Sequence, residues 1–218
     1  MAHLKKQDVE YLKKQFEQLT QPVTLVFFTQ KFECQYCQIT REIITELAET
    51  SDKIHVETYD FVEDAEQVKK YDIKRIPAIA LVGKKDYGVR FYGIPAGYEF
   101  STLVEDIIDV SAGATSLSDG IKDALKKLEK QVHIQAFVTP TCPHCPRAVR
   151  TAHQMAIESD MIVSDMVEAS EFPHLSNRYG VSSVPKVVIN ESVEFVGALP
   201  DTNYLEKVLE AEGAVMRS

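Results

Sequence analysis

Apolar positions along the first half of the chain fall either at helical spacing or in short continuous runs. Over Leu4–Leu19 they fall at Val9, Leu12, Phe16 and Leu19, the three- and four-residue spacing of an amphipathic helix. Val23-Thr-Leu-Val-Phe-Phe-Thr29 follows, a β-branched and aromatic run suited to a buried strand. Helical spacing returns over Cys34–Thr50 through Ile39, Ile43, Ile44 and Leu47. Ile54–Tyr59 then reads as a strand, Ala65–Tyr71 as a short helix, Ala78–Val82 and Val89–Tyr92 as a hairpin, and Phe100–Val110 as a closing helix. The second half predicts the same order: helix Leu117–Leu128, strand Val132–Thr139, helix Pro143–Ser159, strand Met161–Val167, helix Leu175–Tyr179, strands Lys186–Asn190 and Val193–Val196, helix Asn203–Glu210.

This recurrence is a duplication. Cys34 and Cys37 map onto Cys142 and Cys145 with an offset of 108 residues. The same offset carries Tyr71-Asp-Ile-Lys-Arg-Ile-Pro77 onto Tyr179-Gly-Val-Ser-Ser-Val-Pro185. Upstream, Phe27-Phe28-Thr29 matches Phe137-Val138-Thr139 at an offset of 110, which implies a loop two residues longer before the first cysteine pair. The small, polar, glycine-flanked stretch Gly113–Gly120 is the natural junction. The expected organisation is therefore two α/β domains, 1–115 and 116–218, each a central mixed sheet flanked by helices.

With 44% hydrophobic and 26% charged residues, the composition is that of a globular protein rather than a disordered one. A net charge of −9 argues against nucleic acid or an anionic membrane as the main partner. Ile76–Gly83 is the longest strongly apolar uncharged run, far below the ~20 residues of a membrane span. The opening ten residues carry no apolar signal core, so the cytosol is the expected compartment. There, paired cysteines point to catalysis or metal binding before structural bridging.

Each pair sits where an apolar strand gives way to a helix. The thiolate is the attacking species in disulfide exchange, and a helix N-terminus stabilises it through the macrodipole and unpaired N–H groups. Cys34 and Cys142 are thus the expected exposed nucleophiles. Cys37 and Cys145, nearly one turn on and deeper, are placed to resolve a mixed disulfide. In Cys-Pro-His-Cys, Pro143 suits a first helical turn, and His144 stands beside the thiolate, where an imidazolium would favour the charged sulfur. The Cys142–Cys145 site is accordingly expected to be the more oxidising, and the neutral Cys-Gln-Tyr-Cys site the milder. Paired Cys-x-x-Cys motifs also occur in zinc ribbons, but here a whole domain separates the pairs and each leads into a long helix, so no metal is expected. As purely structural bridges they would close too short a loop to stabilise much.

The strand–Cys-x-x-Cys–helix unit, followed by Ile76-Pro77 or Val184-Pro185 at 43 residues from the leading cysteine, resembles thioredoxin and glutaredoxin. The duplication with both sites retained resembles the protein disulfide oxidoreductases of hyperthermophiles. That resemblance implies cis prolines at Pro77 and Pro185, with the main chain of Ile76 and Val184 pairing with an extended substrate. It implies protein thiol and disulfide substrates, a thioredoxin reductase-like flavoprotein as electron partner, and no bound cofactor. An alternative role is a dithiol shuttle between a flavin-dependent reductase and a peroxiredoxin or peroxidase; a third is a chaperone-like binding module. The chain departs from the thioredoxin pattern in lacking Trp, with Glu33 and Thr141 before the leading cysteines. Phe28 and Ala136 stand six residues before them, where thioredoxins carry a buried carboxylate, which leaves the proton acceptor for the resolving thiols unassigned. Eleven glutamines are also more than a hyperthermophile usually keeps.

Overall fold

A computed structural model describes residues 3–214. Met1, Ala2 and residues 215–218, which the two expected domain ranges include, lie outside the described residues. The first half runs α1 (Lys6–Phe16), β1 (Val23–Thr29), α2 (Cys37–Ala48), β2 (Ile54–Asp60), α3 (Ala65–Lys70), β3 (Ala78–Val82), β4 (Asp86–Tyr92) and α4 (Glu99–Ala112). The second runs α5 (Asp119–Leu125), β5 (Val132–Val138), α6 (Cys145–Glu158), β6 (Ile162–Glu168), α7 (Pro173–Arg178), β7 (Lys186–Ile189), β8 (Val193–Val196) and α8 (Asp201–Ala214). The expected element order holds in both halves, two tandem thioredoxin-like folds.

Their two sheets are one. The strand order is β2-β1-β3-β4-β6-β5-β7-β8, and the halves meet where β4 pairs in parallel with β6, Val89 opposite Ser164 through Tyr92 opposite Val167. One large cluster of buried residues lies under α1, α2, α4, α5, α6 and α8, with Leu12, Phe16, Ile44, Leu47, Leu103, Ile107, Met155 and Tyr204 among its members. The opposite face is covered by α3 and α7 over Val26, Phe28, Ile73, Tyr92, Phe137, Val167 and Leu175. No helix among the described residues is long and apolar enough to cross a membrane.

Register corrects the upstream alignment of the halves. Phe28 pairs with Tyr59 and Phe137 with Val167, so Phe28 corresponds to Phe137 at an offset of 109, not 110. Both of these rings face α3 and α7, whereas Phe27 and Ala136 face the cysteine helices. A strand shifted by one residue turns every side chain to the wrong face, so burial leaves no freedom here. The loop before the first cysteine pair is longer by one residue rather than two. For the same reason the strand position of Ala136 corresponds to Phe27, and not to Phe28.

The cysteine helices also start later than their apolar spacing suggests. α2 begins at Cys37 and α6 at Cys145, so Cys34 and Cys142 lie in the turn ahead of each helix. Pro143 is not in the first helical turn: Pro146 is. A tight turn, in which the Cys145 N–H donates to the Cys142 carbonyl at 3.4 Å, accommodates Pro143 before the helix ladder starts.

Candidate active sites

In each site a strand delivers the chain to the C-terminal edge of the sheet, a short turn carries the leading cysteine, and the second cysteine is the first helical residue. Cys34 is bonded to Cys37 and Cys142 to Cys145, with Cα separations of 5.4 and 5.5 Å. Bonding to the first helical residue holds each leading sulfur beside the unpaired N–H groups of the helix start. The second cysteines are the deeper ones: Cys37 is 4% exposed and Cys145 fully buried. Ile76-Pro77 and Val184-Pro185 are both cis. Pro77 and Pro185 are buried and Ile76 and Val184 half-buried. The structure brings the Val184 carbonyl oxygen to 3.8 Å from Cys142 Sγ. His144 is solvent-exposed at the N-cap position of α6.

The sites are not equally open. Beside Cys34 and Cys37 lies a polar cavity of about 750 Å³, lined among others by Thr29, Arg41, Thr58, Asp60 and Asp64. Phe32, in the preceding loop, is 80% exposed. Cys34 is half-buried, but Cys142 is only 8% exposed, so the expected exposed nucleophile is found more fully in the first site than in the second. The second site is also met by the other half of the chain. The β4–α4 loop of the first half reaches across to the second site, where the Tyr98 N–H donates to the Pro140 carbonyl at 3.0 Å. Gly97, at φ 62°, packs so closely that a Cβ there would lie 2.1 Å from the Pro140 oxygen. Behind this loop α4 runs along α6, joined by Arg150 to Glu105, Asp106 and Asp109 and by His153 Nδ1 to Asp106 at 2.5 Å.

Three glutamates in this region, two buried and one half-buried, were not singled out by any sequence pattern. Glu99, at the start of α4, is 1% exposed, and burial pushes its carboxyl up to about 7. Half-buried Glu171, which accepts the Ile94 N–H at 2.6 Å, is likewise raised to about 7 by desolvation. Glu168 ends β6 and is 3% exposed. Its counterpart in the first half is Asp60, which accepts the N–H groups of Val62 and Glu63 and is held below the usual carboxylate range by them. The duplication itself carried a signal for this pair, because acidic residues recur at the 108-residue offset.

The thioredoxin domain model matches residues 26–105 and again 132–210. A protein disulfide oxidoreductase from Aeropyrum pernix superposes with a TM-score of 0.91 at 33% identity, over 98% of this chain and 96% of that one. The N-terminal domain of the alkylhydroperoxide reductase AhpF from Enterococcus faecalis gives a TM-score of 0.88 at 26% identity, over 94% of this chain and 99% of that one. An NADH dehydrogenase of Bacillus subtilis is 29% identical over 68% of the chain, and an alkyl hydroperoxide reductase component from Staphylococcus aureus 28% identical over 69%. The chain spans only 27% of the length of either of these two relatives. It belongs to the thioredoxin domain family, with the domain present twice and a Cys-x-x-Cys site in each half.

Proposed function

We propose that this thioredoxin-family chain, a disulfide oxidoreductase with two Cys-x-x-Cys sites, acts on protein substrates, forming, reducing or reshuffling their disulfides. The observation that carries the reading is that both halves keep a closed cysteine pair at a strand-to-helix turn, in a chain alike over nearly its full length to a protein disulfide oxidoreductase. Cys34 and Cys142 attack a substrate sulfur, and Cys37 and Cys145 resolve the mixed disulfide. The main chain of Ile76 and Val184, each preceding its proline, pairs with an extended substrate segment. His144 lowers the thiol pKa at the second site and makes it the more oxidising. The dithiols carry the electrons themselves, so no bound cofactor is needed, and a thioredoxin reductase-like flavoprotein returns them. We assign the protein to the cytosol and divide it near residue 115.

Scrambled-ribonuclease refolding and insulin reduction test this on the full chain. Each double variant, Cys34→Ser/Cys37→Ser or Cys142→Ser/Cys145→Ser, should keep part of the activity, and the quadruple variant none. Unchanged activity in the quadruple variant would leave only a chaperone-like binding role. A second reading is favoured by the likeness to the N-terminal domain of the alkylhydroperoxide reductase AhpF: a dithiol shuttle from a flavoprotein reductase to a peroxiredoxin. Peroxide turnover reconstituted with such partners, in a chain inert towards insulin and ribonuclease, would select it.

A further inference from the structure

We infer that Tyr98, carried by the first half, is a substrate-contacting residue of the second site, where it selects disulfides flanked by an apolar side chain. The inference rests on Cys142 being the nucleophile towards peptide disulfides, and it makes the second site a product of both halves. Three aromatic side chains among the described residues are more than half exposed: Tyr11 at 61%, Phe32 at 80% and Tyr98 at 51%. Tyr11 stands on α1, but the other two belong to loops that meet the cysteine turns. Phe32 lies two residues ahead of Cys34 in its own loop. Two residues ahead of Cys142 the chain has Pro140 instead, between Thr139 and Thr141, so the second half's own loop offers no ring. Pro140 is the residue on which Tyr98 is mounted, its carbonyl accepting the Tyr98 N–H at 3.0 Å. The first half thus brings an exposed aromatic residue to the turn where the second half lacks one.

Its backbone is held on both sides. Gly97, at φ 62°, lets the chain pass so close to Pro140 that a Cβ there would strike the carbonyl. Beyond it, at the N-cap of α4, the Tyr98 carbonyl accepts the Ser101 Oγ at 2.7 Å and the Ser101 N–H at 3.3 Å. A ring half in water on a fixed backbone can bind at low entropic cost, because only two side-chain torsions remain to be ordered. Exposed Arg147, in the first turn of α6, disfavours a cationic group at this edge. The chemistry left for the ring is packing against an apolar or aromatic side chain.

Reach follows from chain geometry. The Cys142 N–H donates to the Thr139 carbonyl at 3.1 Å, a tight turn that keeps Pro140 within about 7 Å of Cys142. An extended substrate advances ~3.3 Å per residue, so its residue two or three places from the attacked cysteine lies about 7–10 Å from that cysteine. This matches the span between Cys142 and the residue that holds Tyr98. Cys142 is only 8% exposed, so an incoming disulfide meets these surroundings before it meets the sulfur.

The test uses the full chain with Cys34→Ser/Cys37→Ser, reduced and mixed in single turnover with peptide homodimers joined by one disulfide. One peptide carries Phe two residues from its cysteine and the other Ser; both are kept below saturation, and acid-quenched samples are resolved by chromatography. Cys142 should reduce the Phe peptide about 10-fold faster than the Ser peptide, a preference of ~1.4 kcal/mol. Tyr98→Ala should abolish that preference, and Tyr98→Phe should keep it, because the ring and not the hydroxyl makes the contact. In the reciprocal chain, Cys142→Ser/Cys145→Ser, Tyr98→Ala should not move whatever ratio Cys34 shows. No preference in the parent chain, a ratio unmoved by Tyr98→Ala, or an equal change of ratio at Cys34 would overturn the inference. A parent chain that reduces neither peptide would instead remove the reading of Cys142 as a nucleophile for peptide disulfides, and the inference with it.

Discussion

Replacing Glu99 by glutamine should make the protein more stable in mild alkali and leave it nearly unchanged in mild acid. Glu99 is 1% exposed at the start of α4; one oxygen accepts the Thr102 hydroxyl at 2.8 Å and the other has no partner. Burial first, and then the charge of Asp106, raise its carboxyl to about 7, opposed by the Thr102 hydrogen bond. An acid whose pKa is higher folded than unfolded binds its proton more tightly in the native state, so stability is lost as pH rises from the unfolded value of ~4.3 through about 7. At ~1.36 kcal/mol per unit, the ionised group costs the fold about 3 kcal/mol at pH 8 and under about 1 kcal/mol at pH 5. Glutamine keeps the acceptor for Thr102 and cannot ionise. Denaturant unfolding of wild type and Glu99→Gln at both pH values isolates the group, because other titrations cancel in the difference. The variant's advantage should be about 2–3 kcal/mol larger at pH 8 than at pH 5. An advantage equal at the two pH values, or a variant less stable at pH 8, would refute the assignment of a buried, proton-retaining carboxyl.

Two further changes probe the contact between the halves. Arg150→Met removes the guanidinium from Asp106, whose side chain is fully buried, and should cost about 3–5 kcal/mol in denaturant unfolding. A loss under about 1 kcal/mol would mean that the network is no more than a surface ion pair. Gly97→Ala sets a Cβ into the Pro140 carbonyl at a left-handed φ and should cost about 1–3 kcal/mol. It should also loosen the cover over the second site, so that alkylation of reduced Cys142, followed by mass spectrometry, speeds up while that of Cys34 does not. Equal rates in wild type and variant would show that the loop does not shield Cys142.

Much of this molecule was legible without coordinates because its signals are local or repeated. Runs of β-branched and aromatic residues marked every strand, period-3.6 apolar spacing marked most of each helix, and duplication repeated their order in both halves. The cysteine pairs and the prolines beyond them were found the same way, each half confirming the other. Helix starts were less legible: the spacing through Ile39 and Ile43 says which face is buried, but not that Cys34 and Pro143 belong to the turn before the first ladder bond. The one-residue error over Phe27–Thr29 has a related origin. A run of residues buried on both faces has no alternation to set its register, and only pairing with β2 and β6 supplied it.

The difference between the sites was decided by tertiary structure. Two Cys-x-x-Cys motifs in equivalent settings give no hint that one opens onto a cavity while the turn before the other meets the other half's loop. That outcome follows from β4 pairing with β6, which leaves β2 as a free edge and brings Gly97 and Tyr98 against Pro140, in the turn before Cys142. The sequence alone determined the two folds, their cysteine pairs and the prolines beside them, because those depend on periodicity and short-range chemistry. Which acids are dry, which cysteine is covered and which oxygen lacks a donor depended on contacts between residues far apart in the chain. No local pattern encodes those contacts, because the partner that desolvates a group lies in the other half.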